Sequence, residues 1–435
     1  MDLDKAAEEP TKDGPVMFDY VEWWYEDELR PLLVVTVRCK FVTMAAPPGT
    51  RIVHTLWVGN AEHPEAAENA FLRWNAEGLG YEDDDAYRAA VDRFLRQRVY
   101  PALEALSPRV LQSAPHVPVF LASSSYESVT LRPELPDFLH DSQISWLQQL
   151  PLRSAFQPTA ANIPYIAFDS IRAIDVFDTG SRGPLLVLMS DNRLAVSQCV
   201  PSLSMVTSPS GLSVIGRAVI HELDVLRSIP PHPHIIAPLA YITREVNGDT
   251  VICGYALKYC PGGCLSDMLQ NVAVPQPRRI KWAYQMSSAL RHIHHVAHTY
   301  HGDIKLNNVV LDEHDDAIFI DFEQCRTNEE GAPPELLADC TVVVGNDGRL
   351  HYEASQSGEP LVPLRQRDYP YGNWKDVPRA IEAGEVYTFG VALGELFQEG
   401  EVESGILQRC RHVDPNERPD FREVEQFFEA WYTSI

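Results

Sequence analysis

Apolar residues along this chain follow two patterns, and the switch between them sets the expected architecture. Early on they form short runs bounded by Pro, Gly and Asp. Residues 31–37 and 52–58 read as buried strands. Residues 85–106 carry helical periodicity, with Ala89, Phe94, Leu95, Val99 and Leu103 on one face, behind an acidic run at 82–85. Residues 1–13 are polar and expected to be disordered. Residues 14–115 then read as a small α+β domain to which no function attaches. Residues 116–165, rich in Ser and Pro, read as a linker or as an extension packed on the next domain.

From about residue 166 the order changes. Strands are expected at 171–176, 185–189, 194–199, 240–245 and 251–259, with one helix at 213–229 between them. Beyond that the period is helical, at 279–297, 383–397 and 420–432. The fold class is α+β: a β-rich lobe over 166–258, then a helical lobe over 259–435.

Composition narrows the partners. A chain of 435 residues, 45% hydrophobic, has room for two to three domains with sizeable cores. The formal charge of −25 argues against nucleic acid and anionic membrane, which demand a basic footprint. Eight scattered cysteines and an acidic start unlike a signal peptide point to a reducing intracellular compartment, the cytoplasm first. No apolar run reaches the length of a membrane span.

The densest chemistry lies at His301-Gly-Asp-Ile-Lys-Leu-Asn-Asn308, with Asp321-Phe322-Glu323 beyond it. Runs at 309–311 and 317–320 read as two short strands around a turn at 312–316. Phosphoryl transfer needs a carboxylate near the attacking hydroxyl, a cation on the γ-phosphate, and oxygen ligands for magnesium. Asp303, Lys305, Asn308 and Asp321 supply these in order. Two blander readings stand beside this one: capping side chains of an ordinary turn for Asp303 and Asn308, and a metal cluster among His292, His294, His295, His298 and His301. The second lacks the carboxylate of a zincin motif. Cys253, Cys260 and Cys264 read as incidental thiols rather than a metal site.

Taken in order, these and further motifs resemble the protein kinase superfamily across about residues 166–435. The nearest resemblance is to divergent kinase-like proteins of filamentous fungi, with H-G-D-x-K-x-x-N and D-F-E for H-R-D and D-F-G. His232-Pro-His-Ile235 resembles the turn after the family's C helix, and Glu222 stands at that helix's glutamate. Residues 257–265 resemble the hinge, with Leu257 and Tyr259 at the adenine. Ala332-Pro-Pro-Glu335 resembles the end of an activation segment. Glu385-Val-Tyr-Thr-Phe-Gly390 resembles the start of the F helix. Asp414-Pro-Asn-Glu-Arg-Pro419 resembles the late D-P-x-x-R-P motif, whose Arg418 is expected to pair with Glu335. The resemblance implies ATP and Mg2+, with Asp303 and Lys305 catalytic and Asn308 and Asp321 on the metal. The Lys305 spacing is of the serine/threonine type.

Two departures stand out. Gly180 and Gly183 match two of the three glycines of the phosphate loop, but Asp178 replaces the first. Leu194-Ala195-Val196-Ser197 matches V-A-x-K, with Ala195 at the adenine and Ser197 where lysine belongs. No lysine occurs between Lys40 and Lys258. Arg182, Arg193 or Arg217 would have to stand in, and a guanidinium fork is not a point charge. Gly302 replaces the arginine that docks a phosphorylated activation loop, so control by that route is not expected. Between Glu335 and Glu385 an insertion reads as a hairpin, with strands at 342–344 and 350–352 around the turn 346–348.

Three functions are compatible with these residues. One is a phosphotransferase acting on protein Ser/Thr hydroxyls. The second is a pseudokinase serving as a nucleotide-responsive scaffold for a partner. The third is a small-molecule kinase of the aminoglycoside or choline type.

Overall fold

The computed structural model describes residues 16–24, 32–40, 51–58, 119–121, 131–132, 150–156, 163–176, 184–199, 214–324, 331–338, 340–354, 371, 374–397 and 404–435. The expected helix at 85–106, Gly180 and Gly183 lie outside these residues. The chain divides into two compact units. The first holds residues 1–157, 163–220 and 240–256; the second holds 158–162, 221–239 and 257–435.

The first unit contains two sheets. In one, β1 (Val16–Trp24), β2 (Leu32–Lys40) and β3 (Arg51–Val58) form an antiparallel meander. β4 (Val119–Leu121) adds parallel to β3, and β5 (Leu131–Arg132) closes the order. The stretch read as a linker therefore supplies two strands of this sheet. Runs of three and two residues are too short to announce themselves; their partner strand defines them.

The second sheet has six strands in the order β6-β10-β11-β9-β8-β7. These are β6 (Tyr165–Ala167), β7 (Arg172–Val176), β8 (Leu185–Leu188), β9 (Leu194–Cys199), β10 (Pro238–Val246) and β11 (Asp249–Lys258). β10 and β11 are buried along most of their length, so their side chains read as continuous apolar runs. Asn247 and Gly248, both with positive φ, make the tight turn between them. On β9, Ala195 and Ser197 share the buried face, as period-two geometry requires.

In the second unit, the latter half of α1 (Val214–Ser228) presents Leu223, Val225 and Leu226 to the core. α2 (Leu265–Asn271) and α3 (Gln276–His295) come next. Then β12 (Gly263–Cys264), β13 (Val309–Leu311) and β14 (Ala317–Phe319) make a small antiparallel sheet. The 221–239 stretch belongs here because His234 and Ile236 exchange backbone hydrogen bonds with Phe319. A short α4 (Pro334–Leu337) precedes the hairpin β15 (Cys340–Val344) and β16 (Leu350–Ala354). Val342 and Leu350 root this hairpin in a cluster with Tyr371, Trp374 and Ile381. α5 (Pro378–Leu396) is apolar nearly all round and buried, as a core helix must be. α6 (Ser404–Cys410) and α7 (Phe421–Thr433) end the chain, with Asp420 capping α7 through the Glu423 amide. Among the described residues no helix is long and apolar enough to cross a membrane.

Candidate functional site

The loop that joins α3 to β13 is held by one buried carboxylate. Glu385, on α5, accepts from the backbone amides of His301 (3.0 Å) and Gly302 (2.6 Å). His294 Nε2 meets its other oxygen at 2.7 Å. Burial pushes Glu385 up, but the His294 hydrogen bond, the two histidines and the Gly302 amide outweigh it and hold the carboxyl below its ordinary range. The added methylene relative to aspartate leaves the anchor intact. Gly302 has φ +88°, and a Cβ there would stand 2.9 Å from the Gln324 Cα, so glycine is required.

His301 is fully buried beneath the loop. Its Nδ1 accepts from the Asp303 amide (3.2 Å), which leaves Nε2–H to donate to the Ile320 carbonyl (3.0 Å). Burial lowers its pKa, in keeping with that neutral tautomer. The histidine thereby fixes the spacing between Asp303 and the segment that carries Asp321.

Asp303 is 7% exposed. Its Oδ2 accepts from Lys305 Nζ at 2.5 Å and from Asn308 Nδ2 at 3.0 Å. Asn308 Nδ2 also donates to the Asp303 carbonyl at 2.9 Å. Asp303 Oδ1 is buried and has no hydrogen-bond partner among the described residues. A buried carboxylate oxygen left unsatisfied is costly, and such sites are where a reacting group is expected to bind. The Asn308 amide thus does both things at once: it caps the turn through the Asp303 carbonyl and braces the Asp303 carboxylate.

Asp321 comes directly after Ile320, whose amide donates to the Asn308 carbonyl at 3.0 Å. Its φ of +66° is unusual for a residue other than glycine. Glu222, fully buried on α1, accepts from the Phe322 amide at 3.1 Å. Oxygen atoms of Glu222, Asp321 and Glu323 all lie within 4.8 Å of one another. An all-oxygen set of this kind suits a hard cation such as Mg2+.

The nucleotide-side candidates lie on β9 and at the end of β11. Ala195 is fully buried. Ser197 is 2% exposed, and its Oγ lies 3.6 Å from Cys199 Sγ. Leu257 is buried and Tyr259 half-buried. Arg193 and Lys258 each have an acidic partner. Arg193 is exposed and paired with Asp191 in its own turn. Lys258 pairs with Asp312 at 3.1 Å and Glu313 at 2.9 Å. Arg182 and the Arg217 side chain lie outside the described residues.

The helix histidines each have a partner of their own. His292 faces the Pro230 carbonyl, His294 faces Glu385 and His295 faces Glu382. Cys260 is pushed up to about 11 by burial, which keeps it a neutral thiol, and Cys264 contacts the Leu306 and Asn307 carbonyls.

Arg418 pairs with Glu335 through both arms, at 2.5 and 3.0 Å, as the resemblance implied. The guanidinium also donates to the Ala383 carbonyl at 3.0 Å and lies 4.8 Å from the Tyr387 ring. This pair ties the end of the 321–335 segment to α5. Sequence reasoning missed Gln324. It is 5% exposed with φ +56°, and its amide reaches Thr299, Tyr300 and His221. Its identity alone gives no signal, because the partners are distant in sequence.

Among known proteins, residues 204–347 match the protein kinase domain family. A salt tolerance receptor-like cytoplasmic kinase of Oryza sativa subsp. japonica is 31% identical over 193 residues, 41% of this chain and 45% of that protein. A probable serine/threonine-protein kinase of Dictyostelium discoideum is 28% identical over 217 residues, 47% of this chain and 22% of that protein. A probable receptor-like protein kinase of Arabidopsis thaliana is 38% identical over 111 residues, 24% of this chain and 31% of that protein. The chain spans less than half the length of each of these relatives.

Proposed function

Because this chain is a member of the protein kinase superfamily, we propose that it transfers the γ-phosphate of ATP to a protein serine or threonine hydroxyl. The observation that carries this reading is the split between the two oxygens of Asp303. Oδ2 is braced by Lys305 and Asn308, while Oδ1 is buried with no partner among the described residues. That oxygen accepts the hydroxyl proton as the new O–P bond forms and the bond to the β-phosphate oxygen breaks, releasing ADP. Lys305, with its side chain 35% exposed, steadies the γ-phosphate oxygens from the same side. Asn308, with its nitrogen committed to Asp303, offers its carbonyl oxygen to Mg2+, and Asp321 offers a carboxylate. Bound there, Mg2+ neutralises phosphate charge. Glu222 holds the Phe322 amide and so the turn that presents Asp321.

A pseudokinase is the second reading, and a specific observation favours it. Ser197 is buried where the family keeps a lysine, and both Arg193 and Lys258 are engaged by acids of their own. The Glu335–Arg418 tie and the Glu385 anchor speak against a small-alcohol kinase, a class whose members generally lack these motifs. The likeness to fungal kinase-like proteins rests on the H-G-D and D-F-E motifs and on the inserted hairpin.

The test is phosphate transfer by the full chain from ATP with Mg2+, to itself, to generic protein substrates and to small alcohols. Transfer to protein that falls by about three orders of magnitude in Asp303→Ala supports the enzyme. Nucleotide binding without transfer establishes the pseudokinase, and transfer to alcohols alone overturns the protein acceptor.

A further inference from the structure

Gln324 is a buried polar side chain that the proposed chemistry does not use. Its Nε2 donates to Thr299 Oγ1 at 3.0 Å and to the Tyr300 carbonyl at 2.5 Å. A carbonyl can only accept, so the amide orientation is fixed and Oε1 faces the other way. There it meets His221 Nε2 at 3.1 Å, which requires that nitrogen to carry a proton. The Gln324 backbone, in the left-handed region, packs against the face of Gly302 that a Cβ would fill.

These contacts join three pieces. His221 and Glu222 are neighbours on α1. From them, one bond runs to the Gln324 side chain and one to the Phe322 amide. The same Gln324 amide runs on to residues 299 and 300, immediately before the loop that carries Asp303. Asp321, Phe322 and Gln324 are thus held between the helix and the base of the loop.

We propose that Gln324 is a positioning residue, a two-sided amide clamp that, with His221, locks α1 and the Asp321 turn onto the catalytic loop without help from a lysine. This deepens the phosphotransfer reading and rests on it for the meaning of Asp321, though the clamp itself does not. Gln324→Glu keeps the shape but sets a carboxylate oxygen against the Tyr300 carbonyl. Gln324→Met keeps the bulk and removes all three hydrogen bonds. His221→Gln keeps a donor at the reach of Nε2, whereas His221→Ala removes it.

The measurement is amide hydrogen exchange on the full chain without nucleotide. In Gln324→Glu, Gln324→Met and His221→Ala, the amides of residues 221–228 and of Phe322 should exchange about tenfold faster or more, with α7 unchanged. His221→Gln should restore protection, and Gln324→Met with His221→Ala should be less than additive. Where wild-type transfer is measurable, kcat should fall about tenfold with the KM for ATP within about twofold. Wild-type exchange at Phe322 in Gln324→Met, or equal acceleration of every amide in 221–435, overturns the clamp. A chain with no transfer at all sinks the phosphotransfer reading, while the exchange result still decides the clamp.

Discussion

The catalytic loop and strand β9 both bury polar side chains, and they do it in opposite ways. In the loop, the polar groups are cross-braced, save one oxygen of Asp303. Glu385 holds two backbone amides, His301 bridges Asp303 to Ile320, and Lys305 and Asn308 share one oxygen of Asp303. On β9, the position that carries a lysine in the family holds Ser197, a small hydroxyl beside a thiol. A hydroxyl at this spot is tolerated by the core but cannot compensate phosphate charge. The loop keeps its polar residues together with their supports; β9 does not keep the lysine that the resemblance leads one to expect there.

If that contrast is right, the largest effect should come from breaking a support of the helical unit. Glu335→Ala leaves the Arg418 guanidinium buried and uncompensated, which should cost about 3–5 kcal/mol of unfolding free energy. Urea unfolding checks it. A loss below about 1 kcal/mol would mean that the loop's supports are as dispensable as the β9 lysine.

A smaller effect should come from the other side of the contrast. Ser197→Lys restores a point charge at the family's position, and phosphate transfer should rise about tenfold. Steady-state rates with ATP check it. An unchanged or lower rate, in a variant that melts normally, would show that this chain has rebuilt its phosphate contacts elsewhere.

A third effect, spread over the fold rather than tied to one contact, is in the response to acid. Burial lowers the pKa of His301, and burial with the neighbouring His292 and His234 lowers His232 to about 4. Both folded values are depressed, so the stability they carry is complete above the unfolded value of about 6.5 and is lost as pH falls toward the folded one. Unfolding free energy should drop by about 2 kcal/mol between about pH 7 and about pH 4.5. His232→Gln should remove part of that slope. A stability that is flat across this range would contradict a half-buried, neutral His232 and a buried, neutral His301.

Much of the site is legible in the chain itself. The spacing of Asp303, Lys305 and Asn308 requires a single tight loop, and the structure brings all three onto one carboxylate. The Glu335–Arg418 pair and the hairpin of residues 340–354 can also be read, the first from paired motifs and the second from β-branched runs around Asn346-Asp-Gly348. Features that escape such a reading depend on partners far away in sequence. β4 and β5 are too short to carry a period and exist because β3 lies beside them. The Glu222 bond to the Phe322 amide and the Gln324–His221 bond join residues a hundred positions apart or more, and neither has a local pattern. The engagement of Lys258 by Asp312 is equally hidden, since a lone lysine near the hinge gives no hint of where its amine points.

The central claim is that Asp303 faces the terminal phosphate of one nucleotide and that Asn308 and Asp321 hold that phosphate through a divalent cation. Calorimetric titration of the full chain with ATP, with and without Mg2+, tests it most directly when repeated on Asp321→Asn. Saturable binding is expected, weakened by about tenfold or more when Mg2+ is withheld or Asp321 is replaced. Binding equally tight in all three cases, or no binding by the wild-type chain, would contradict it.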